Sequence, residues 1–314
     1  MKTMKVLAII CSVIFILSLG AGLIFAAAGF DDGLRGLVWS LRDGVGRNVR
    51  IETGDETVEG DGLSSLSVRA GAAEVELVRE DRETIQAEYT LRYLGHLPDD
   101  LLSLRRDGTQ AVLTINDAGG VLPFFLWREL LVTLRIPENY RGDLTLDAGA
   151  GFVRLPADQI FSRVDLRVGA GGISIGRLTA REVTIDVSAG RLTAAGLSAG
   201  RADLTVGAGE LRVRDLSGEV DLSVSMGAAT LEFARVEKPV TASVDMGGAT
   251  LLFPEDTRAD LRLSANVGTV SQEFGEWFQG ESSSSRVNGT LNGGGVSITG
   301  NADMGSLRIR PLNA

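Results

Sequence analysis

DLTLDAGAGFVRL (residues 143–155) is followed by DLRVGAGGISI (165–175), VTIDVSAGRLT (183–193) and DLTVGAGELRV (203–213). DLSVSMGAATLEF (221–233), VTASVDMGGATLLF (240–253) and LRLSANVGTV (261–270) extend the series. Aligned on one glycine each, these segments place Gly151, Gly171, Gly190, Gly209, Gly227, Gly247 and Gly268 at spacings of 20, 19, 19, 18, 20 and 21 residues. Self-similarity at so short and steady a period marks a solenoid. Inside each unit the apolar residues alternate. Leu144, Leu146 and Ala148 precede the glycine and Val153 and Leu155 follow it, with Asp143, Thr145, Asp147 and Arg154 between them. A period of two describes strands with one buried face and excludes helical repeats, whose spacings are three and four. Two short strands cannot bury that face alone, so successive units must stack in register.

The expected fold is therefore an all-β solenoid, parallel β-helix-like, built of two-strand coils 18–21 residues long. At about 4.8 Å per coil, seven to nine coils give a length of roughly 35–45 Å. The glycines are expected to permit positive φ and close approach at each corner. GAG segments such as Gly207-Ala208-Gly209 are not phosphate loops, because a strand follows each one rather than a helix N-terminus.

Working outward, Leu63 to Leu77 is an earlier copy, with Gly71 in the glycine slot. Three longer strands, 85–93, 111–116 and 130–136, open the domain, with a turn at Arg106-Asp107-Gly108. Between the last two lies VLPFFLW (121–127), read either as a cap over the open end or as a loop that dips into a membrane or binds a partner. Phe124, Phe125 and Trp127 are its contact candidates. Four serines between Glu281 and Arg286 suggest a flexible loop, and Asn288-Gly289-Thr290 a second one. LNGGGVSI and ADMGSLRI then restore the repeat around Gly294 and Gly305 and close the stack.

Before the repeats, Val6 to Ala28 is an uncharged stretch preceded by Lys2 and Lys5 and followed by Asp31 and Asp32. About 20 apolar residues span a bilayer, and positive charge stays inside. Residues 1–30 are accordingly a transmembrane anchor, N-terminus cytoplasmic, or a cleaved signal sequence ending at Ala26-Ala27-Ala28. The anchored reading makes the protein single-pass, with residues 31–314 extracytoplasmic. Residues 31–60 form a juxtamembrane linker. Within it Leu34, Leu37, Val38 and Leu41, with Trp39 beside them, show helical spacing, either on the outer leaflet or capping the first coil.

Residues 61–314 resemble the bacterial putative-adhesin domain, a β-strand-repeat family of unassigned function. The resemblance rests on the proline-containing strand LLVTLRIPENY, the glycine-centred repeats and the closing LNGGGVSITGNADMGSLRIRP. A more distant similarity is to the C-terminal β domain of envelope-stress regulators that sense cell-wall antibiotics. The family implies an exported or membrane-tethered β-solenoid and brings no catalytic residues. GAG and MGG corners depart from the Ser-Gly-Asp corners it leads one to expect.

The remaining chemistry is sparse. One cysteine, Cys11, and one histidine, His96, make a disulfide framework, a Cys/His zinc site and a catalytic triad improbable. The net charge of −10 argues against nucleic acid, which demands cationic patches. Arg154, Ser174, Thr193, Arg212, Glu232 and Leu252 read as one outward column without a run of carboxylates. Asp147, Asp186 and Asp245 read as comparable slots before the glycine, interrupted by other residues, so no acid cluster for polysaccharide cleavage emerges. Neither cofactor nor metal is expected. The sequence thus points to a non-enzymatic envelope protein whose solenoid binds an envelope polymer or a surface protein. The alternative is a regulator that senses envelope stress through a membrane partner such as a sensor kinase, and a polysaccharide-active enzyme ranks third.

Overall fold

Alternation of apolar and polar residues carries through into strands almost everywhere in the computed structural model, which describes residues 50–93, 101–115 and 128–312. The opening section holds β1 (Arg50–Glu59), β2 (Ser65–Ala70), β3 (Glu74–Glu80), β4 (Thr84–Tyr93), β5 (Leu102–Asp107), β6 (Gln110–Ile115) and β7 (Arg128–Pro137). The central coils follow. They comprise β8 (Asp143–Ala148), β9 (Phe152–Ile160), β10 (Arg163–Val168), β11 (Gly172–Val187), β12 (Arg191–Val206) and β13 (Glu210–Val224). Next come β14 (Ala228–Phe233), β15 (Val240–Val244) and β16 (Gly248–Phe253). The closing section holds β17 (Ala259–Ala265), β18 (Thr269–Gln272), β19 (Phe278–Ser282), β20 (Arg286–Leu291), β21 (Val296–Ala302) and β22 (Ser306–Pro311).

Two parallel ladders run along the stack. Before the glycine corner, β8, β10 and the second halves of β11, β12 and β13 pair in register, Leu146 with Leu166, then Ile185, Leu204 and Leu222. After the corner, β9, the first halves of β11, β12 and β13, then β14 and β16 do the same. The expected two-strand coil needs correction in the middle of the stack. In β11 the alternation slips at Gly176-Arg177 and again at Arg181-Glu182, where consecutive residues lack a buried position. Two slips turn the strand through two corners and create a third short face. Its buried column is Leu178, Leu197, Leu216 and Phe233, in register. Phe233 then meets Phe253 edge-on, with ring centroids 4.9 Å apart. The core is the sum of these columns, filled almost wholly by Leu, Val, Ile and Ala.

The corner glycines serve one of the two expected purposes. A Cβ on Gly171, Gly190, Gly209, Gly227 or Gly247 would collide with the carbonyl oxygen of the corresponding residue in the preceding coil. Their φ angles, however, are not positive. Among the described residues the positive-φ glycines are Gly62, Gly108, Gly218, Gly275, Gly280, Gly293 and Gly294, which lie outside this column. Close approach of stacked backbones, rather than left-handed geometry, therefore demands glycine. In the earlier copy the slot opposite Gly151 is taken by Ala73, and Gly71 lies two places before it.

The ends of the stack depart furthest from the order of the chain. Val240–Val244 pairs with β21, residues 298–302, and only then does β21 pair with β17. In the second ladder β22 likewise lies between β16 and β18. The last coil in sequence is thus the penultimate coil in space, so it does not close the stack as expected. Gly305 takes the corner slot between Gly247 and Gly268, whereas Gly294, at φ +86, sits in the turn before β21. The opening mirrors this arrangement, since β2 lies between β6 and β8, and β3 between β7 and β9.

Antiparallel strands finish both ends, β5 on β6 and β4 on β7 at one, β20 on β17 and β19 on β20 at the other. Reversing direction closes edges that would otherwise template further parallel pairing. The serine-rich stretch forms the hairpin loop between β19 and β20, whereas Asn288-Gly289-Thr290 lies on β20 and is not a loop. Residues 50–59, assigned to the linker, form β1, which pairs with β4 and packs Val58 against the core.

Two outcomes follow from this packing. Gly190→Ala should lower stability by about 1–3 kcal/mol through forced separation of coils, read as a lower urea midpoint, while Ala189→Ser on the exposed corner leaves it unchanged. Deleting residues 296–314 should strip protection from the amides of β17 and β20 as well as β15 in hydrogen exchange. Simple fraying at the chain terminus would leave β17 and β20 protected.

Candidate functional site

Registered stacking turns each outward position into a column, and the columns before the corner divide the surface. The first half is ionic. Asp143, Arg163, Glu182, Arg201 and Glu219 succeed one another rung by rung. Arg163 pairs with Glu182 at 2.8 Å, and Arg201 with Glu219 at 2.8 Å and Asp203 at 2.9 Å. The hydrogen bond that Arg163 donates to Glu182 raises the pKa of Arg163, and the one that Arg201 donates to Asp203 raises that of Arg201. Arg69, Asp147, Arg167 and Asp186 alternate in the column nearest the corner, with Thr145, Asp165, Thr184, Asp203 and Asp221 in the column between. Opposite charges face each other across rungs, so this half satisfies itself and favours one register. Exposed pairs of this kind contribute little stability individually.

The column nearest the corner turns hydroxylic in its second half, where its first two rungs still carry Arg201, Asp203, Glu219 and Asp221 beside it. From Asp186 the same column continues as Thr205, Ser223, Ser243, Asn301 and Ser264. Thr241 and Thr299 lie beside it and share a hydrogen bond of 3.3 Å. Ser264 Oγ donates to Asn301 Oδ1 at 3.1 Å, and Asn301 Nδ2 donates to Asp303 Oδ1 at 2.9 Å. Thr205, Ser223 and Ser243 are exposed. The column ends at an open cleft of 570 Å³ between the end of β17 and the β19–β20 hairpin, where Ser264, Asn266, Ser283, Ser285 and Arg286 converge. This arrangement can donate and accept hydrogen bonds at intervals of about 4.8 Å.

One half-buried cation stands apart. Arg79 donates to Gln159 Oε1 at 3.0 Å and to the carbonyls of Glu138, Tyr140 and Ile160 at 3.1, 2.8 and 2.7 Å. Its guanidinium lies 4.7 Å from the Phe161 ring centre. Desolvation, then the nearby Arg141, pull its pKa down to about 10, which leaves it charged at neutral pH. With its donors spent on three carbonyls and an amide of the neighbouring coil, Arg79 ties coils together.

Several expected site residues lie elsewhere. Trp39, Phe124, Phe125 and Trp127, the contact candidates, are outside the described residues, as are Val6 to Ala28, Cys11 and His96. The outward column after the corner is Arg154, Ser174, Thr193, Arg212, Thr230, Thr250, Arg308 and Ser271. Glu232 and Leu252, placed in it from sequence, sit two residues further on. Asp147 and Asp186 share a column with Arg167 between them, but Asp245 belongs to the corner, two positions later. Among the described residues, no three His, Cys, Asp or Glu side chains gather as a metal set. The hydroxyl column was missed. Its signal is a Ser, Thr or Asn two residues before the corner in successive repeats, but assembling it requires the spatial order of the last coils.

A family model matches residues 63–310. The chain belongs to the Toastrack DUF4097 family. Among solved structures it is similar to a "putative adhesin" from Bacteroides fragilis, 13% identical, covering 83% of this chain and 97% of that one, TM-score 0.47. It is also similar to a "putative lipid binding protein" from Parabacteroides distasonis, 12% identical, covering 82% and 96%, TM-score 0.48. A third is a "putative adhesin" from Parabacteroides merdae, 10% identical, covering 82% and 96%, TM-score 0.44. No curated protein matches the chain.

Proposed function

We propose that this Toastrack protein is a non-enzymatic binding protein of the cell envelope, anchored through Val6 to Ala28, with residues 31–314 outside the membrane. Its ligand is a hydroxyl-rich envelope polymer laid along the stack. The observation that carries this reading is the column Thr205, Ser223, Ser243, Asn301 and Ser264, in register over five rungs and leading into the serine-lined cleft. Hydroxyls and amides on a flat β face suit a polyhydroxylated chain, because each side can both donate and accept. Individually such contacts are weak against water. Repetition along one polymer compensates, since each further contact is intramolecular once the first has formed. The ionic half of the face is already paired within itself and offers the polymer less.

The test is co-sedimentation of the detergent-solubilised full chain with purified cell-wall polymer. Ser223→Arg combined with Ser243→Arg should weaken binding at least tenfold, about 1.4 kcal/mol, without shifting the melting curve. Arg163→Ala should bind like the native protein. Equal binding by the double variant would contradict the assignment. Recovery from native envelope of a single membrane protein in place of polymer would favour the regulatory reading instead.

A further inference from the structure

The corner itself carries a second pattern, independent of the polymer-binding reading. One residue before each corner glycine, the rungs read Ala150, Ala170, Ala189, Ala208, Met226, Met246, Met304 and Val267. Backbone hydrogen bonds fix the succession: Met226 N donates to Gly207 O, Met246 N to Ser225 O, Met304 N to Asp245 O and Val267 N to Asp303 O, at 2.7–2.8 Å. The chain has five methionines, and those among the described residues are these three. Not one fills the core, where methionine's adaptable side chain is ordinarily used. They are 61%, 54% and 61% exposed instead. Four alanines at the same slot show that the corner needs no large side chain there.

We infer that Met226, Met246 and Met304 form a thioether site for a soft monovalent cation, Cu(I) or Ag(I). Thioether sulfur selects soft metals over the hard cations that carboxylates and carbonyls prefer. Adjacent rungs lie about 4.8 Å apart, so the outer two methionines need only lean toward the middle one. Three rotatable bonds and low neighbours permit that movement. The flanking corner positions are Gly227, Gly247 and Gly305 on one side and Ser225, Asp245 and Asp303 on the other. Asp303 Oδ1 is engaged by Asn266 and Asn301, at 2.7 and 2.9 Å, while Asp245 adds a second negative charge one rung away. Both favour a cation over the sulfurs. Sequence reading missed this site for two reasons. Cysteine and histidine are each single in the chain, and Met304 reaches Met246 only because the last coil is inserted before the one containing Val267.

The experiment titrates the detergent-solubilised full chain with Ag(I), and anaerobically with Cu(I) against a chromogenic Cu(I) chelator. Met246→Leu and the triple variant Met226→Leu, Met246→Leu, Met304→Leu are run in parallel. Leucine keeps the volume and the apolar character and removes only the sulfur. Met1, Met4 and Cys11 remain in every protein, so the difference between proteins reports the corner alone. The expected result is one more tightly held ion in the native protein than in the triple variant. Affinity should fall at least tenfold in Met246→Leu, and X-ray absorption should show more sulfur neighbours per bound ion in the native protein than in the triple variant. Equal affinity and stoichiometry in the native and triple-variant proteins would overturn the site, as would absence of a sulfur shell in the loaded native protein.

Discussion

Close contact between stacked corner backbones is the constraint on which the rest of this molecule depends. At the corner glycines from Gly151 onward the chain passes so near the carbonyl of the coil before it that a single added carbon does not fit. That contact sets the coil spacing and holds successive coils in phase. Phase in turn stacks the inward Leu, Val, Ile and Ala side chains into continuous columns. A slip of one residue would reverse inside and outside on every strand. The cross-rung ion pairs on the first half of the face favour the same register from outside. Core packing, corner chemistry and surface charge thus agree on one alignment, which is the consistency expected of a sequence that specifies a single fold.

Registered coils also convert a one-dimensional repeat into surfaces with chemical identity. A residue at a given offset becomes a member of a column, and the column has a spacing set by the backbone. Here the columns change character along the stack, from alternating charge to hydroxyl and amide, while the corner edge changes from alanine to methionine. The hydroxyl column and the methionine edge meet on the same three rungs near the C-terminal end. Substitution at those rungs alters surface chemistry with little demand on the core, since the inward positions stay aliphatic.

Much of the architecture was legible in the sequence. Alternation identified the strands, the glycine period identified the coil length, and the hairpin at Gly108 followed from its turn residues. Other features were hidden for identifiable reasons. The third face came from phase slips at Gly176-Arg177 and Arg181-Glu182, which look like continued alternation unless the strand is known to run unbroken. The corner glycines were credited with positive φ because glycine is usually called on for that, whereas space was the actual demand. Glu232 and Leu252 were misplaced although the frame is constant: each member of the column follows its corner glycine by three residues, which puts Thr230 and Thr250 there. The interleaving of the last coil was invisible, since a repeat alignment contains no information about which copy stacks on which. Both proposed sites depend on that order.

The order can be tested directly with paired cysteines in a Cys11→Ser background. Ser243→Cys and Asn301→Cys face each other on adjacent rungs, at a separation of about 4.8 Å, inside the range that a disulfide spans. Ser243→Cys and Ser264→Cys are two rungs apart, at about 10 Å, beyond that range. Mild oxidation should close the first pair within one chain and leave the second reduced. Closure of the 243–264 pair in preference to 243–301 would mean that the coils stack in chain order, which would contradict the interleaved fold and dismantle both surfaces built on it.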